Sequence, residues 1–442
     1  MARETEEQAG AYSPRAAAVA ALAAVRRGAQ LDRALELTVR GKLGRRDASF
    51  AEELVKSVVR HKTLLDYQLA QAAKSLQKVP AAVVDIMRVA AAELFLLNTP
   101  AYAAVDQAVA AAKASRYAGL APVVNGVLRR VASRDAPAVP EGDDVARLAV
   151  AYSHPEWLVR RWLVRLGPAE AEALLKADNE PAPLSVYANP TRVSRDELAA
   201  RLSAEGCAVT DGPFGSLAVA LADKGLVELD AFREGLFAVL DPASTLGPRA
   251  LAPPAGATVW DLCAGAGGKA VQLAWAVGPG GKVVAVDSNG RKLKACAAAA
   301  ARLGLENIEI RKADVLKDEL PRADYVFLDV PCTNLGVIRR KPDVKWRVRE
   351  EDVAAVAATQ EALLARAVDV LAPGGSVVYN VCSLEPEENE QVVENVTARA
   401  PAELVPCSGD EFGDACDGSF LRTRPHRHGC NGGFAATLRR PR

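Results

Sequence analysis

In the first third of the chain apolar residues recur at helical spacing. Val19, Leu22 and Val25 lie three apart, and Phe50, Leu54 and Val58 lie four apart, so each set shares one face of an α-helix. Ser13-Pro14 supplies an N-cap followed by proline at the first helical position. Alanine-rich stretches such as "VVDIMRVAAAELFLL" and "VVNGVLRRVASR" continue the pattern and predict an all-α region over 12–134. "SRDAPAVPEGDD", 133–144, is polar and broken by two prolines and a glycine, which marks a linker or boundary. Residues 145–245 mix types. "WLVRRWLVRLGPAEAEALLKA" reads as helix, "SRDELAARLSAEG" as a capped helix ending at Gly206, and "PLSVYANP", "FGSLAVAL" and "GLFAVLD" as strands, together a small α/β connecting module.

From 246 to 442 the period alternates. The apolar runs "ATVWDL", "KVVAVD", "NIEIRKAD", "DYVFLDV" and "GSVVYNV" are separated by helical stretches. Buried strands alternating with helices specify a mostly parallel, doubly wound α/β domain, whose ligands sit beyond the carboxyl ends of the strands. The expected fold class is therefore multidomain.

Composition narrows the class. Half of the 442 residues are apolar and a quarter charged, enough for large cores. No apolar run is long enough to span a bilayer, and the acidic start "MARETEEQAG" does not look like a secretory signal, so a cytoplasmic protein without membrane association is expected. The formal charge is zero, which leaves room for a local basic patch but not for polyanion binding by the whole molecule. Eight cysteines lie at 207, 263, 296, 332, 382, 407, 416 and 430, and all are expected to be reduced thiols. There is no CxxC pair. The tail cluster of Cys407, Cys416, His426, His428 and Cys430 fits no common zinc spacing, and no metal is expected.

"DLCAGAGGKA", 261–270, follows the first strand of the sheet. Gly265, Gly267 and Ala270 fit G-x-G-x-x-G/A, and Asp287 closes the next strand. Glycines let backbone approach a nucleoside cofactor, and the carboxylate takes two ribose hydroxyls. This alone does not separate a dinucleotide from S-adenosylmethionine (SAM). Asp314 and Asp329 end two further strands. Acids at three successive tips suit a sulfonium and an amino group and would repel a pyrophosphate, which favours SAM. Lys269 fits either ligand, or a solvated surface.

Cys332 in "FLDVPCTNLG" and Cys382 in "YNVCSLEPEENEQVV" stand at two strand ends of the same sheet. With the glycine loop, these motifs resemble the bacterial RNA cytosine-C5 methyltransferases of the Fmu/Sun (RsmB) family. The N-terminal helices are similar to the NusB-type RNA-binding domain which that family carries, and "YSHPEWLVRRWLVRLG" and "ADNEPAPLSVYANPTR" resemble its connecting module. The resemblance implies a class I, Rossmann-like methyltransferase domain over 246–442 behind a NusB-like domain. It implies SAM as cofactor, small-subunit ribosomal RNA as substrate and a monomeric enzyme. Cytosine C5 is too electron-poor to take a methyl group until a thiolate adds to C6. By motif position, Cys382 is the nucleophile, Cys332 assists product release, and Asp329 hydrogen-bonds the cytosine. Cys332 as nucleophile is the rival assignment.

By the same correspondence SAM would meet Cys263, Ala264, Gly265, Ala266, Gly267, Gly268 and Lys269, with Asp287 on the ribose, Asp314 near the adenine, and Asp329. "GVIRRKPDVKWRVR" is dense in cations around an indole. Arg339, Arg340, Lys341, Lys345, Trp346 and Arg347 are the expected RNA contacts, against the alternative of a solvated basic face. Glu385, Glu387 and Glu388 would raise a neighbouring thiol pKa, and with Pro386 they read as first-turn helix acids. The chain departs from the family pattern at Ala266, Ala270, Tyr187 and Asn431. Two competitors remain open: a nicotinamide dehydrogenase on the same loop, and a non-catalytic RNA-binding or ribosome assembly factor.

Overall fold

The computed structural model describes residues 12–134, 136–221 and 225–442; the acidic start of the chain lies outside them. The chain divides into two compact units, Met1–Asn179 with Lys341–Arg347, and Glu180–Arg340 with Val348–Arg442.

The first unit is helical. Ala16 N–H donates to the Ser13 hydroxyl at 3.2 Å and Pro14 opens the helix Pro14–Arg26. Helix Arg45–Arg60 buries Leu54 and Val58 together with Ala51 and Val55, one full turn apart on one face. Helices Asp144–Ala151, Glu156–Leu166 and Pro168–Asn179 belong to this compact unit. A buried side chain ties the stretch before them to it. Gln68 donates Nε2 to the Ala138 carbonyl at 2.6 Å and accepts the Ala138 N–H at 3.0 Å, pinning the proline-broken stretch to helix Lys62–Ala72. Leu64 N–H then donates to Ser153 Oγ at 2.9 Å.

Lys341–Arg347 is the other surprise. Lys345 is fully buried and donates to the Arg60 carbonyl at 2.9 Å and to Asn179 Oδ1 at 3.0 Å. Trp346 donates Nε1–H to the Val59 carbonyl at 2.7 Å, and the Lys62 ammonium lies 5.2 Å over its ring. Asp343 accepts the Leu31 N–H at 3.2 Å and pairs with Arg347 at 2.9 Å. The assignment of Lys345 and Trp346 to RNA is thereby corrected: their donors are spent on backbone and amide oxygens inside the helical unit. Burial drives the Lys345 ammonium well below the ordinary lysine value, although Asp178 opposes this. The same burial, helped by Lys345 and Arg60, pushes His61 down to about 3.

The second unit holds two sheets. The smaller has the order β2-β3-β1-β4, all antiparallel, from β1 (Leu184–Ala188), β2 (Ala208–Asp211), β3 (Leu217–Ala220) and β4 (Phe237–Val239). Its helix Arg195–Ala204 opens with a reciprocal Ser194–Glu197 capping box. The larger sheet runs β10-β12-β9-β8-β5-β6-β7, with β11 beside β12. Its parallel part is β5 (Thr258–Asp261), β6 (Lys282–Asp287), β7 (Ile308–Lys312), β8 (Ala323–Asp329) and β9 (Leu371–Val381), matching the five runs in the sequence. Antiparallel β10 (Glu403–Val405), β11 (Leu421–Thr423) and β12 (Gly433–Arg439) extend the edge beyond those runs. Cys407 and Cys416 form a disulfide in the loop between β10 and β11, so the expectation of uniformly reduced thiols fails there. Val259, Val283, Phe327 and Val378 are buried at its centre. Chain order reverses at β5, and the crevice beyond its carboxyl end is the expected ligand position.

Two outcomes test the helical unit. Trp346→Ala should cost it about 3 kcal/mol, seen as a lower urea midpoint. His61 stays neutral in the fold down to about pH 3 but takes a proton near 6.5 once unfolded, so stability is complete above pH 6.5 and is lost as pH falls toward 3. The protection factors of the Arg45–Arg60 amides in the full chain should fall across that window, with a flatter slope in His61→Gln.

Candidate active site

Four strand tips converge on the crevice. After β5 the chain turns through Cys263–Gly267 into helix Gly268–Val277. Gly265 and Gly267 have φ of 57° and 89°, left-handed values that side chains resist. A Cβ on Gly267 would stand 2.4 Å from Cys296 Sγ, so glycine is required there by space as well. At the tip of β6, Asp287 accepts Gly265 N–H at 3.0 Å and Asn289 N–H at 2.7 Å, holding the loop against the next strand. Asp314, beyond β7, accepts Leu316 N–H and pairs with Lys317 at 3.0 Å, and these contacts hold its carboxyl below the usual range.

Asp329 ends β8. It accepts from Lys269 Nζ and from Asn380 Nδ2, each at 2.6 Å. Burial works against the Lys269 charge, but Asp329 beside it, with Cys382 and Asp261 adding, holds the ammonium above the ordinary lysine value. Asp261, at the tip of β5, is buried, and burial together with Asp329 pushes it up to about 8. Sequence reasoning did not single it out. It occupies the strand-closing position that Asp287 and Asp329 occupy on theirs, and that was the signal available.

The cysteines are neighbours. Cys332 Sγ and Cys382 Sγ are 3.0 Å apart, one just beyond β8 and the other just beyond β9. Cys382 also approaches Asn334 Oδ1 at 3.5 Å, while Asn334 Nδ2 donates to the Cys332 carbonyl at 2.9 Å. Asn334 is left-handed at φ 64°, a conformation asparagine tolerates. The hydrogen bond to Cys382, burial, and the charges of Cys382 and Glu388 push the Cys332 thiol well above the ordinary range. Burial raises Cys263 far up and Cys296 to about 11, so neither serves as a thiolate.

Behind the thiols lies a polar network. Glu388 is fully buried. Its carboxylate accepts Thr333 N–H at 2.9 Å, Thr333 Oγ1 and Ser383 Oγ at 2.5 Å each, and Gln360 Nε2 at 3.0 Å. Tyr379 OH donates to the Glu388 carbonyl at 2.6 Å. A 3-10 turn, Pro386–Glu388, precedes the helix Glu390–Thr397, so Glu388 is not the first-turn helix acid expected. None of Thr333, Gln360, Tyr379 or Ser383 was picked out from sequence.

The remaining expected RNA contacts divide. Arg339 is buried and reaches the Glu180 carbonyl at 3.4 Å, and Arg340 pairs with Asp241 at 3.1 Å, so both are engaged within the second unit. Lys341 and Arg347 are exposed. Among the described residues no group of three or more His, Cys, Asp or Glu could hold a metal ion.

The loop and acids fit a nucleoside sulfonium. The glycine backbone leaves room for adenosine, Asp287 keeps lone pairs for hydroxyls, and Asp287 and Asp329 set two carboxylates against the one ammonium of Lys269. Relatives agree along the whole chain. Residues 248–439 match the family described as 16S rRNA methyltransferase RsmB/F, 12–133 the NusB family, and 154–228 the RsmF/B-like ferredoxin-like domain. Ribosomal RNA small subunit methyltransferase B of Thermus thermophilus is 36% identical over 434 residues, covering 97% of this chain and 98% of that protein. The protein of the same name from Klebsiella pneumoniae (strain MGH 78578) is 32% identical over 370 residues, covering 82% and 84%. The crystal structure of PH0851 has the same fold, with a TM-score of 0.80 at 23% identity over 96% of this chain and 98% of that one. With its motifs, its paired thiols and its relatives in agreement, the chain belongs to the RsmB/F family of 16S rRNA methyltransferases.

Proposed function

We propose that this protein methylates C5 of a cytosine in 16S ribosomal RNA, with Cys382 as the nucleophile and SAM as the donor. The observation that carries the reading is the pair of thiols 3.0 Å apart beside the Lys269–Asp329 pair. One nucleophile explains one thiol; a second thiol held against it is what a covalent intermediate needs for its release.

Bound SAM supplies an electrophilic methyl on its sulfonium. Gly265 and Gly267 admit its adenosine, and Asp287 takes the ribose, with Asp314 near the adenine. Cys382 Sγ adds to C6, forming a C–S bond and moving electron density to C5. Asp329, braced by Lys269 and Asn380, hydrogen-bonds the cytosine ring and favours that addition. Once C5 carries its methyl, the C5 proton passes to water, and the electron pair it leaves re-forms the C5–C6 double bond as the C6–S bond breaks and returns its pair to Cys382. Cys332, kept as a thiol, donates its S–H to the departing sulfur. The target base has to leave its stack to reach the strand tips.

The test is transfer of labelled methyl from SAM to 16S rRNA by wild type, Cys382→Ala and Cys332→Ala. Cys382→Ala should be inactive. Cys332→Ala should trap a covalent RNA–protein adduct that survives denaturing electrophoresis. The opposite pattern would exchange the two roles, and transfer to a position other than cytosine C5 would end the reading.

A further inference from the structure

The residues that follow the two thiols, Thr333 and Ser383, meet at one buried carboxylate, Glu388. Cys382 sits directly beyond β9, a strand hydrogen-bonded on one side to β8 and on the other to β12, where Val381 pairs with Phe434. Its carbonyl also accepts Gly336 N–H at 3.0 Å. Cys332 lies three residues past the end of β8, on irregular chain whose backbone is tied at Val330 to the Asn380 carbonyl and at Gly336 to the Cys382 carbonyl, each at 3.0 Å; between those ties its surroundings are held by side chains. Gln360 Nε2 donates to the Pro331 carbonyl at 3.0 Å, and Thr333 gives both its N–H and its hydroxyl to Glu388. Glu388 binds the hydroxyl of Ser383 with the same carboxylate. One buried group thus grips the residue that follows each cysteine.

We propose that Glu388 is the positioning residue of the thiol pair: it holds Cys332 against Cys382 and so governs release of the covalent intermediate. All four donors to its carboxylate are neutral, so the charge stays uncompensated beside the pair and favours Cys332 as a thiol, the form that donates to a departing sulfur. The unequal framing gives the proposal its direction. Without Glu388, β9 still presents Cys382, and attack on C6 proceeds; Cys332 loses its place, and release suffers.

The inference rests on the nucleophile assignment above, and the experiment separates the two. Full-length Glu388→Ala, Glu388→Gln and Cys332→Ala are compared for SAM affinity, methyl transfer to 16S rRNA and covalent adduct. Glu388→Ala should bind SAM as wild type does, turn over roughly 10²-fold more slowly, and accumulate adduct as Cys332→Ala does. Glu388→Gln should recover most of the turnover and shed the adduct. Its carbonyl can accept from Thr333 N–H and Gln360, and its amide can donate to the Thr333 and Ser383 hydroxyls. Should the alanine variant fail to bind SAM, Thr333→Val, which removes one hydroxyl of the bracket, carries the same adduct test. If Cys332→Ala traps nothing, the nucleophile assignment itself fails. If Cys332→Ala traps adduct while Glu388→Ala and Thr333→Val clear it at the wild-type rate, Glu388 has no part in release and the proposal is overturned.

Discussion

A carboxylate removed from water must find hydrogen bonds or lose its charge, and Glu388 meets that demand from three separate stretches of chain. Thr333 comes from the loop after β8, Ser383 from the loop after β9, and Gln360 from the long helix Glu350–Val370. None of these can shift without exposing a buried charge. The tips of two neighbouring parallel strands are therefore locked at one separation, and chemistry that needs two thiols in register becomes possible on an otherwise ordinary doubly wound sheet. Tyr379 closes the network from within β9.

The opposite side of the crevice works by charge rather than by bracing. Asp261, Asp287 and Asp329 end three adjacent strands, and Lys269 is the ammonium set among them. Burial first, and Asp329 second, push the Asp261 carboxyl up, so a further negative charge beside Asp329 is disfavoured in the empty site. A cation placed there favours the charged form, which suits the crevice to a sulfonium.

Much of this was legible in the sequence, and the exceptions share a cause. Short apolar runs between helical stretches, a glycine loop after the first of them and cysteines at strand ends are local signals, and β5 to β9 lie where those signals put them. Lys345 and Trp346 were misleading because charge density normally means a solvated face. Their partners, the Arg60 and Val59 carbonyls, are 285 and 287 positions away and invisible to any window on the chain. Glu388 failed in a different manner. An acid after proline reads as a helix-start acid, and only the fold turns it inward toward Thr333 and Ser383. Strands β10 and β11 have three residues each, too short to show a period.

The return of Lys341–Arg347 to the helical unit has a consequence for how the molecule is made. The chain leaves that unit at Asn179 and completes it only when Arg347 is synthesised. At ribosomal rates of about 5–20 residues per second, the helices wait roughly ten to thirty seconds with the cradle for Trp346 open. During that interval the Val59 and Arg60 carbonyls lack the donors that later satisfy them. The N-terminal half therefore reaches its final stability only after most of the catalytic sheet has emerged, which couples the maturation of one half to the synthesis of the other.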